Sequence, residues 1–314
     1  MNATNNSNMI IANDGINTTD SVQLNSIRPG LYARTQIIGG YDPFKDERGV
    51  TQFGEKLFEA HNMIVLGGSL FTLEKVFGIP AALNGGFLTD NTYHSPVNDN
   101  TSSDGYIKDT TVCLFGVGTG GADNTITNVH DVRNYEQHLR NFIPFRVVAN
   151  GLTDPADKEK YFYKKEITSA GVTKIAYYLK TFESTPSINV YVVDAENLEG
   201  VNNQLQQSEW DAWSTTALSA TDQDVRREED LRTVIELTLK ITTDDLREYF
   251  IDNDQIEQTR FNTFGLFTGC PVYDTDGVTV LDYKNVRLFS KLNIPNEMLV
   301  LNKDLTILYR IYTS

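Results

Sequence analysis

The sequence predicts a β-rich α+β fold, with short helices in the N-terminal half and a sandwich-like antiparallel C-terminal half. Its apolar segments are short and are separated by turns rich in Gly, Pro, Asn and Asp, which is typical of strands. Residues 231–242 show the clearest pattern, because apolar and polar side chains alternate so that one face is buried and one is solvated. With 314 residues, of which 40% are hydrophobic, the chain can bury one or two cores.

The N-terminal half is predicted to contain an arm and an α+β region with long loops. Residues 1–26 are polar and rich in Asn, Thr and Ser, which predicts a flexible arm. In residues 51–60, Phe53, Leu57 and Phe58 would share one face of a helix. The region 27–150 is predicted to form, in chain order, a strand over 31–38, a helix over 51–60, a strand over 62–67, a helix over 69–77, a loop over 83–110 and strands over 111–116 and 143–149.

Residues 151–314 are predicted to form a β-rich region. No clear linker marks the boundary near 150–170, and the sequence also allows both regions to form one domain. Thr243, Asp244 and Asp245 are expected to cap a short helix over 245–250. The strands of this region are predicted over 173–182, 187–193, 231–242, 264–268, 278–281, 286–290 and 305–312.

Charge and cysteine content exclude several classes of protein. The net charge is −15, and the densest basic segment, 158–165, is interrupted by acidic residues, so we expect no direct nucleic-acid binding. No apolar run is long enough to span a membrane, and the N-terminus lacks the features of a secretory signal. Cys113 and Cys270 are expected to be free thiols, with one long-range disulfide as the alternative.

A glycine-rich segment after the strand at 111–116 has the spacing of a dinucleotide-binding fingerprint. Gly116, Gly118 and Gly121 satisfy GxGxxG, but that site needs a helix directly afterwards to hold the pyrophosphate. The residues that follow are poor helix formers, and Asp123 would repel a phosphate. We therefore predict a flexible or tightly turning loop and no nucleotide cofactor.

No pattern of metal ligands or catalytic residues occurs in the sequence. The histidines do not show zinc-site spacing, and the acidic clusters lack the calcium-loop pattern. We therefore predict no metal site, no cofactor and no enzymatic activity. A glycosidase-like carboxylate pair within the loops at 84–130 stays open, since that pairing is spatial rather than sequential. The histidines are His61, His94, His130 and His138.

Aromatic residues in basic surroundings provide the candidate interaction residues. Tyr and Arg are enriched in interface cores, because they bury area while keeping a polar group. Packing within the chain's own sheets is the alternative role for the same residues. The residues predicted to lie in an interface are Tyr161, Phe162, Tyr163, Trp210, Trp213, Tyr309, Arg310 and Tyr312.

Much of the chain resembles virion structural proteins of tailed bacteriophages with contractile tails. The similarity lies in the style and order of segments rather than in one short motif, and it excludes residues 1–26. The last two segments are similar to the β-rich ends of baseplate wedge proteins. The resembling segments are CLFGVGTGG over 113–121, IPFR over 143–146, the strand over 174–180, VRLFS over 286–290 and LTILYRIY over 305–312.

This resemblance implies a noncatalytic protein of the tail or baseplate, made in the bacterial host cytoplasm and present in several copies. Its expected partners are copies of itself and other virion structural proteins. A position at the head–tail junction, as a neck or connector protein, is the second interpretation. A third is a glycan-binding or glycan-hydrolysing virion protein, in which Trp210 and Trp213 would contact the sugar.

Overall fold

The computed structural model describes most of the chain. It covers residues 33–47, 50–77, 109–123, 128–169, 171–194, 203–205, 229–253, 259–298 and 303–313. Its elements in chain order are β1 (Ala33–Lys45), β2 (Thr51–Ala60), β3 (Met63–Ile64), α1 (Leu66–Phe77), β4 (Thr111–Gly118), β5 (Phe142–Ile143), β6 (Arg146–Val148), α2 (Pro155–Lys158), β7 (Tyr161–Ser169), β8 (Val172–Thr181), β9 (Ser187–Asp194), β10 (Asn203–Leu205), β11 (Glu229–Ile241), α3 (Arg247–Asp252), β12 (Arg260–Tyr273), β13 (Val280–Met298) and β14 (Leu305–Thr313).

The strands form two antiparallel sheets. Sheet 1 has six strands in the order β10-β9-β11-β14-β1-β2. Sheet 2 has eight strands: β3-β13-β12-β4-β8-β6 form its main path, β5 pairs with β4, and β7 pairs with β8. Both sheets therefore take strands from either side of residue 150. The predicted β-rich α+β class with a sandwich-like antiparallel arrangement is confirmed.

The main hydrophobic core lies between the two sheets. Sheet 1 contributes inward-facing side chains such as Leu237 of β11 and Ile307 of β14. Sheet 2 contributes Phe115 of β4 and Phe264 and Leu266 of β12. The alternation of burial along β11 follows the alternation in its sequence, as expected for a strand with one face on a core.

A second, smaller core lies on the other face of sheet 2. This sheet curls until Phe162 of β7 meets Tyr283 of β13, with their ring centroids 4.8 Å apart in an edge-to-face arrangement. Leu114, Phe267 and Leu288 point into the enclosed space. The middle of β12 is thus buried on both faces, which explains its nearly continuous apolar run.

The predicted helix over 51–60 is wrong, because these residues form β2. At a bulge beside Gly39 and Gly40, Phe58 pairs with the first glycine and Lys56 with the second, so Leu57 is an extra residue. A bulge of this kind breaks the two-residue period of a strand. Leu57 and Phe58 therefore both pack towards the core, and their spacing imitates a helical face.

Other local predictions are partly confirmed. The helix predicted over 69–77 is present as α1, and the strands over 111–116, 173–182, 187–193, 231–242 and 305–312 are present. The predicted strand over 62–67 is reduced to β3, and the one predicted over 286–290 is part of β13. Of the strand predicted over 278–281, only 280–281 belong to β13, and 278–279 lie in the turn before it. The arm over 1–26 and most of the loop over 83–110 lie outside the described residues.

The predicted capping of a helix over 245–250 is also wrong. The helix α3 begins after Leu246, whose φ of 67° places it in the left-handed region and which makes no side-chain cap. Asp245 instead turns into the protein, where Tyr161 of β7 and Lys180 of β8 contact its two carboxylate oxygens. Because the side chain of Asp245 takes part in this buried ionic contact, it does not cap the helix.

Candidate interaction surface

Most of the aromatic residues predicted to form an interface lie inside the chain's own core. Tyr161, Phe162, Tyr163, Tyr309 and Arg310 are all buried. In the structure they pack within the chain's own sheets, which is the alternative that the sequence left open. Trp210 and Trp213 and the side chain of Tyr312 lie outside the described residues, although the backbone of Tyr312 belongs to β14.

Tyr309 and Arg310 point to opposite faces of sheet 1. The Tyr309 hydroxyl lies in the core, 2.8 Å from Ser290 Oγ of sheet 2. Arg310 lies on the outer face, where its Nε donates to Glu236 Oε1 at 2.9 Å. Its Nη2 reaches the carbonyl oxygen of Thr51 at 3.5 Å, so the end of the β1–β2 hairpin curls back over this face and covers the guanidinium.

Tyr161 belongs to a buried cluster that joins the two sheets. Its hydroxyl donates to Asp245 Oδ1 at 2.7 Å. Lys180 Nζ of β8 lies 2.6 Å from Asp245 Oδ2 and donates to the Lys240 carbonyl of β11 at 2.8 Å. The backbone N–H of Thr242 donates to the same Oδ2 at 2.7 Å. The side chains of Lys180 and Asp245 are 3% and 0% exposed, so water does not screen this pair.

Further ionic groups border this cluster. Arg146 lies over the Tyr161 ring, with its Cζ 5.6 Å from the ring centroid, and its Nη2 is 3.6 Å from Asp157 Oδ2. Burial raises the pKa of Glu248, and the positive charge of Arg146 offsets this rise only in part. Burial and the charge of Asp245 raise the pKa of Tyr161 far above its ordinary value, so its hydroxyl keeps its proton.

The glycine-rich segment forms a packing surface. Gly116 and Gly118 lie on one face of β4, and the segment around Phe142 lies directly against them. A Cβ on Gly116 would be 2.5 Å from the Phe142 ring, and one on Gly118 would be 2.6 Å from the Arg140 carbonyl oxygen. The glycines are therefore explained by close approach of the chain to itself.

One of the four histidines pairs with an acidic residue. His130 Nε2 lies 2.7 Å from Asp123 Oδ1, and this hydrogen bond lowers the pKa of Asp123. Among the described residues, no three His, Cys, Asp or Glu side chains are grouped so that they could hold a metal ion. Cys113 and Cys270 are free thiols, and burial raises the pKa of Cys113 to about 12.

An exposed apolar strip runs along helix α1. Four of the twelve exposed large apolar side chains among the described residues lie on or beside this helix: Leu66, Leu73, Val76 and Tyr135 are 49%, 54%, 55% and 67% exposed. Tyr135 is next to the start of the helix, because the Leu66 N–H donates to the carbonyl of Asn134 at 2.6 Å. We call these four residues the α1 strip. Exposed apolar side chains are usually scattered, so their grouping makes this strip a candidate contact surface.

The α1 strip has little negative charge of its own. The one acidic residue of α1, Glu74, is buried and lies 3.5 Å from Arg287 Nη1. Lys75 lies at the C-terminal end of the strip, 5.7 Å from the centroid of the Phe71 ring. The carboxylate of Asp109 acts on the Lys75 ammonium, so the positive charge at this end of the strip is partly balanced within the chain.

The tip of the β12–β13 hairpin presents the opposite combination. Val278 is the most exposed large apolar side chain among the described residues, at 78%. Asp276 holds the turn through hydrogen bonds from the backbone N–H groups of Val278 and Thr279 at 2.8 and 2.9 Å. Asp274 is also exposed at this turn. The tip therefore presents one exposed apolar side chain beside acidic residues, on a turn held by hydrogen bonds.

Sequence reasoning missed both of these surfaces. The strip could have been recognised, because 66–77 carries apolar residues on two faces of the helix, one around Phe71 and one through Leu66, Leu73 and Val76.

Comparison of the chain with family models, curated proteins and solved structures gave no match. Within the described residues, no helix has both the length and the apolar character needed to cross a membrane.

Proposed function

We propose that this chain is a noncatalytic assembly protein that binds further copies of itself, the α1 strip of one copy receiving the β12–β13 hairpin tip of the next. The α1 strip carries the proposal, because a third of the exposed large apolar side chains of the described residues gather there. Burying them in a contact would remove apolar area from water, which is the main favourable term in association.

Charge supports a second copy as the partner. The strip ends at Lys75, whereas the tip carries Asp274 and Asp276 beside Val278. Opposite charges at the rim of an apolar contact fix its register and speed its formation. A contact between two different surfaces of the same chain is heterologous, so it builds rings or filaments rather than closed pairs. Such multi-copy assembly fits a particle subunit.

We propose the tail of a contractile-tail bacteriophage, at the baseplate, as the particle. The resemblance of the segments over 113–121, 143–146 and 305–312 to such proteins supports this assignment. The head–tail junction is the second position. Antibody raised against this chain and viewed on intact particles by electron microscopy is expected to label the tail tip. Label at the neck would move the protein to the junction, and immunoblots of disrupted particles without signal would overturn the virion assignment.

Self-association is tested by placing a charge on each half of the contact. Leu73→Asp and Val278→Asp are each expected to weaken self-association by about 10- to 100-fold, because a carboxylate would be buried against apolar side chains. Light scattering of the protein as it elutes from a size-exclusion column should give a mass above 35.3 kDa for the wild type and the monomer mass for either variant. Mixing the two variants should restore one intact strip-to-tip contact and produce dimers.

The matched control is Ile251→Asp, which introduces the same charge at another exposed apolar side chain, on α3. Its self-association should equal that of the wild type. A wild-type chain that stays monomeric at high concentration would contradict the strip-to-tip contact. Loss of assembly in Leu73→Asp together with unchanged assembly in Val278→Asp would instead indicate a symmetric contact between two strips.

A further inference from the structure

The buried Lys180–Asp245 pair holds an amine and a carboxylate in direct contact. The amine nitrogen lies 2.6 Å from a carboxylate oxygen, and both side chains are almost completely removed from water. The Lys240 carbonyl and the Thr242 N–H hold the amine and the carboxylate in place. Holding two reactants in contact can remove most of the entropy cost of a bimolecular reaction.

We propose that Lys180 and Asp245 become joined by an intramolecular isopeptide bond between Lys180 Nζ and Asp245 Cγ. The reaction is a condensation without an oxidant or cofactor. A proton moves from the ammonium group to the carboxylate, the neutral amine attacks Cγ, and a C–N bond forms. A C–O bond then breaks, so that one carboxyl oxygen leaves with two protons as water and an amide remains.

The surrounding groups match the needs of each step. Tyr161 donates to Asp245 Oδ1, the oxygen opposite the one that contacts the amine, and can stabilise negative charge there when the amine adds. The Tyr161 ring, whose centroid is 5.3 Å from Lys180 Nζ, closes one side of the site. Glu248 Oε2 is buried without a hydrogen-bond partner among the described residues, and the charge of Asp245 acts on this carboxyl.

Burial also supplies the driving force. An ion pair removed from water loses its hydration, and a neutral amide removes both charges at once. Lys180 lies on β8 of sheet 2, and Asp245 follows β11 of sheet 1. The bond would therefore lock the two sheets together covalently, which suits a subunit that carries mechanical load but does not depend on that role.

The test is mass spectrometry of the purified full chain under denaturing conditions. The wild type is expected to be lighter than its sequence mass by one water molecule. Lys180→Arg retains the positive charge but should show no such loss. Trypsin should not cleave after Lys180, and the digest should contain a branched peptide joining residues 175–226 to residues 241–247.

The protein contains its own control. Lys174 contacts both oxygens of Asp252 at 2.7 Å, but this pair is partly exposed, so water competes for its charges. Peptides containing Lys174 and Asp252 should be recovered unlinked. Water loss that persists in Lys180→Arg would indicate cyclisation at an Asp-Gly step such as Asp276-Gly277, and would overturn the proposal. Cleavage after Lys180 in the wild type, with an unchanged mass, would overturn it too.

Discussion

Replacing Asp245 with alanine is expected to lower the free energy of unfolding by about 3–5 kcal/mol. The change leaves the Lys180 ammonium buried without a carboxylate in contact, and the Lys240 carbonyl remains as its hydrogen-bond acceptor. It also removes the acceptors of the Tyr161 hydroxyl and the Thr242 N–H. Each of these donors would then be buried without its hydrogen bond, which adds to the cost of the unpaired charge. If the isopeptide bond has formed, the variant loses that cross-link as well.

Equilibrium denaturation in urea, followed by tryptophan fluorescence and circular dichroism, measures this effect. Asp252→Ala is the matched control, since it removes the same group from the partly exposed pair with Lys174. Its cost should be about 0–1 kcal/mol, as for other ion pairs near the surface. Equal losses in the two variants would mean that the burial of the Lys180–Asp245 pair contributes nothing to stability.

Phe264→Ala should also cost about 3–5 kcal/mol, because it leaves a cavity at the centre of the sandwich. Phe264 is 1% exposed and lies on β12, which has neighbouring strands on both sides. The sheets on either side restrict how far the surroundings can collapse into the space.

Thermal and urea unfolding of this variant measure the loss. Phe44→Ala makes the same change at a side chain that is 52% exposed near the end of β1, and it should alter stability by less than about 1 kcal/mol. A small loss for Phe264→Ala would contradict the placement of β12 between two cores.

The fold class could be predicted from the sequence where local pattern and tertiary environment agree. In β11, alternating side chains face one core and one polar surface, so the pattern is preserved in the structure. In β2 the bulge at Leu57 moves the alternation out of phase, and the pattern suggests a helix. The bulge depends on pairing with β1, so the sequence of β2 alone does not reveal it.

The candidate site was harder to predict, since aromatic and basic residues serve an interface and a core equally well. Tyr161 and Arg310 satisfy their polar groups through Asp245 and Glu236, which are distant in sequence. Nothing near either residue in the chain indicates these partners. The α1 strip had a local signal, because the second apolar face of the helix exceeds what one core contact requires.

The position of β14 has a consequence for biosynthesis. This strand lies between β11 and β1, so the middle of sheet 1 joins residues near opposite ends of the chain, such as Tyr309 and Ile37. About 270 residues separate them, and at about 5–20 residues per second a ribosome needs roughly 14–55 s to make that length. During this time the β1–β2 hairpin is already made but lacks its partner strand. An exposed strand edge of this kind is a point at which chaperones, or neighbouring nascent chains, can bind.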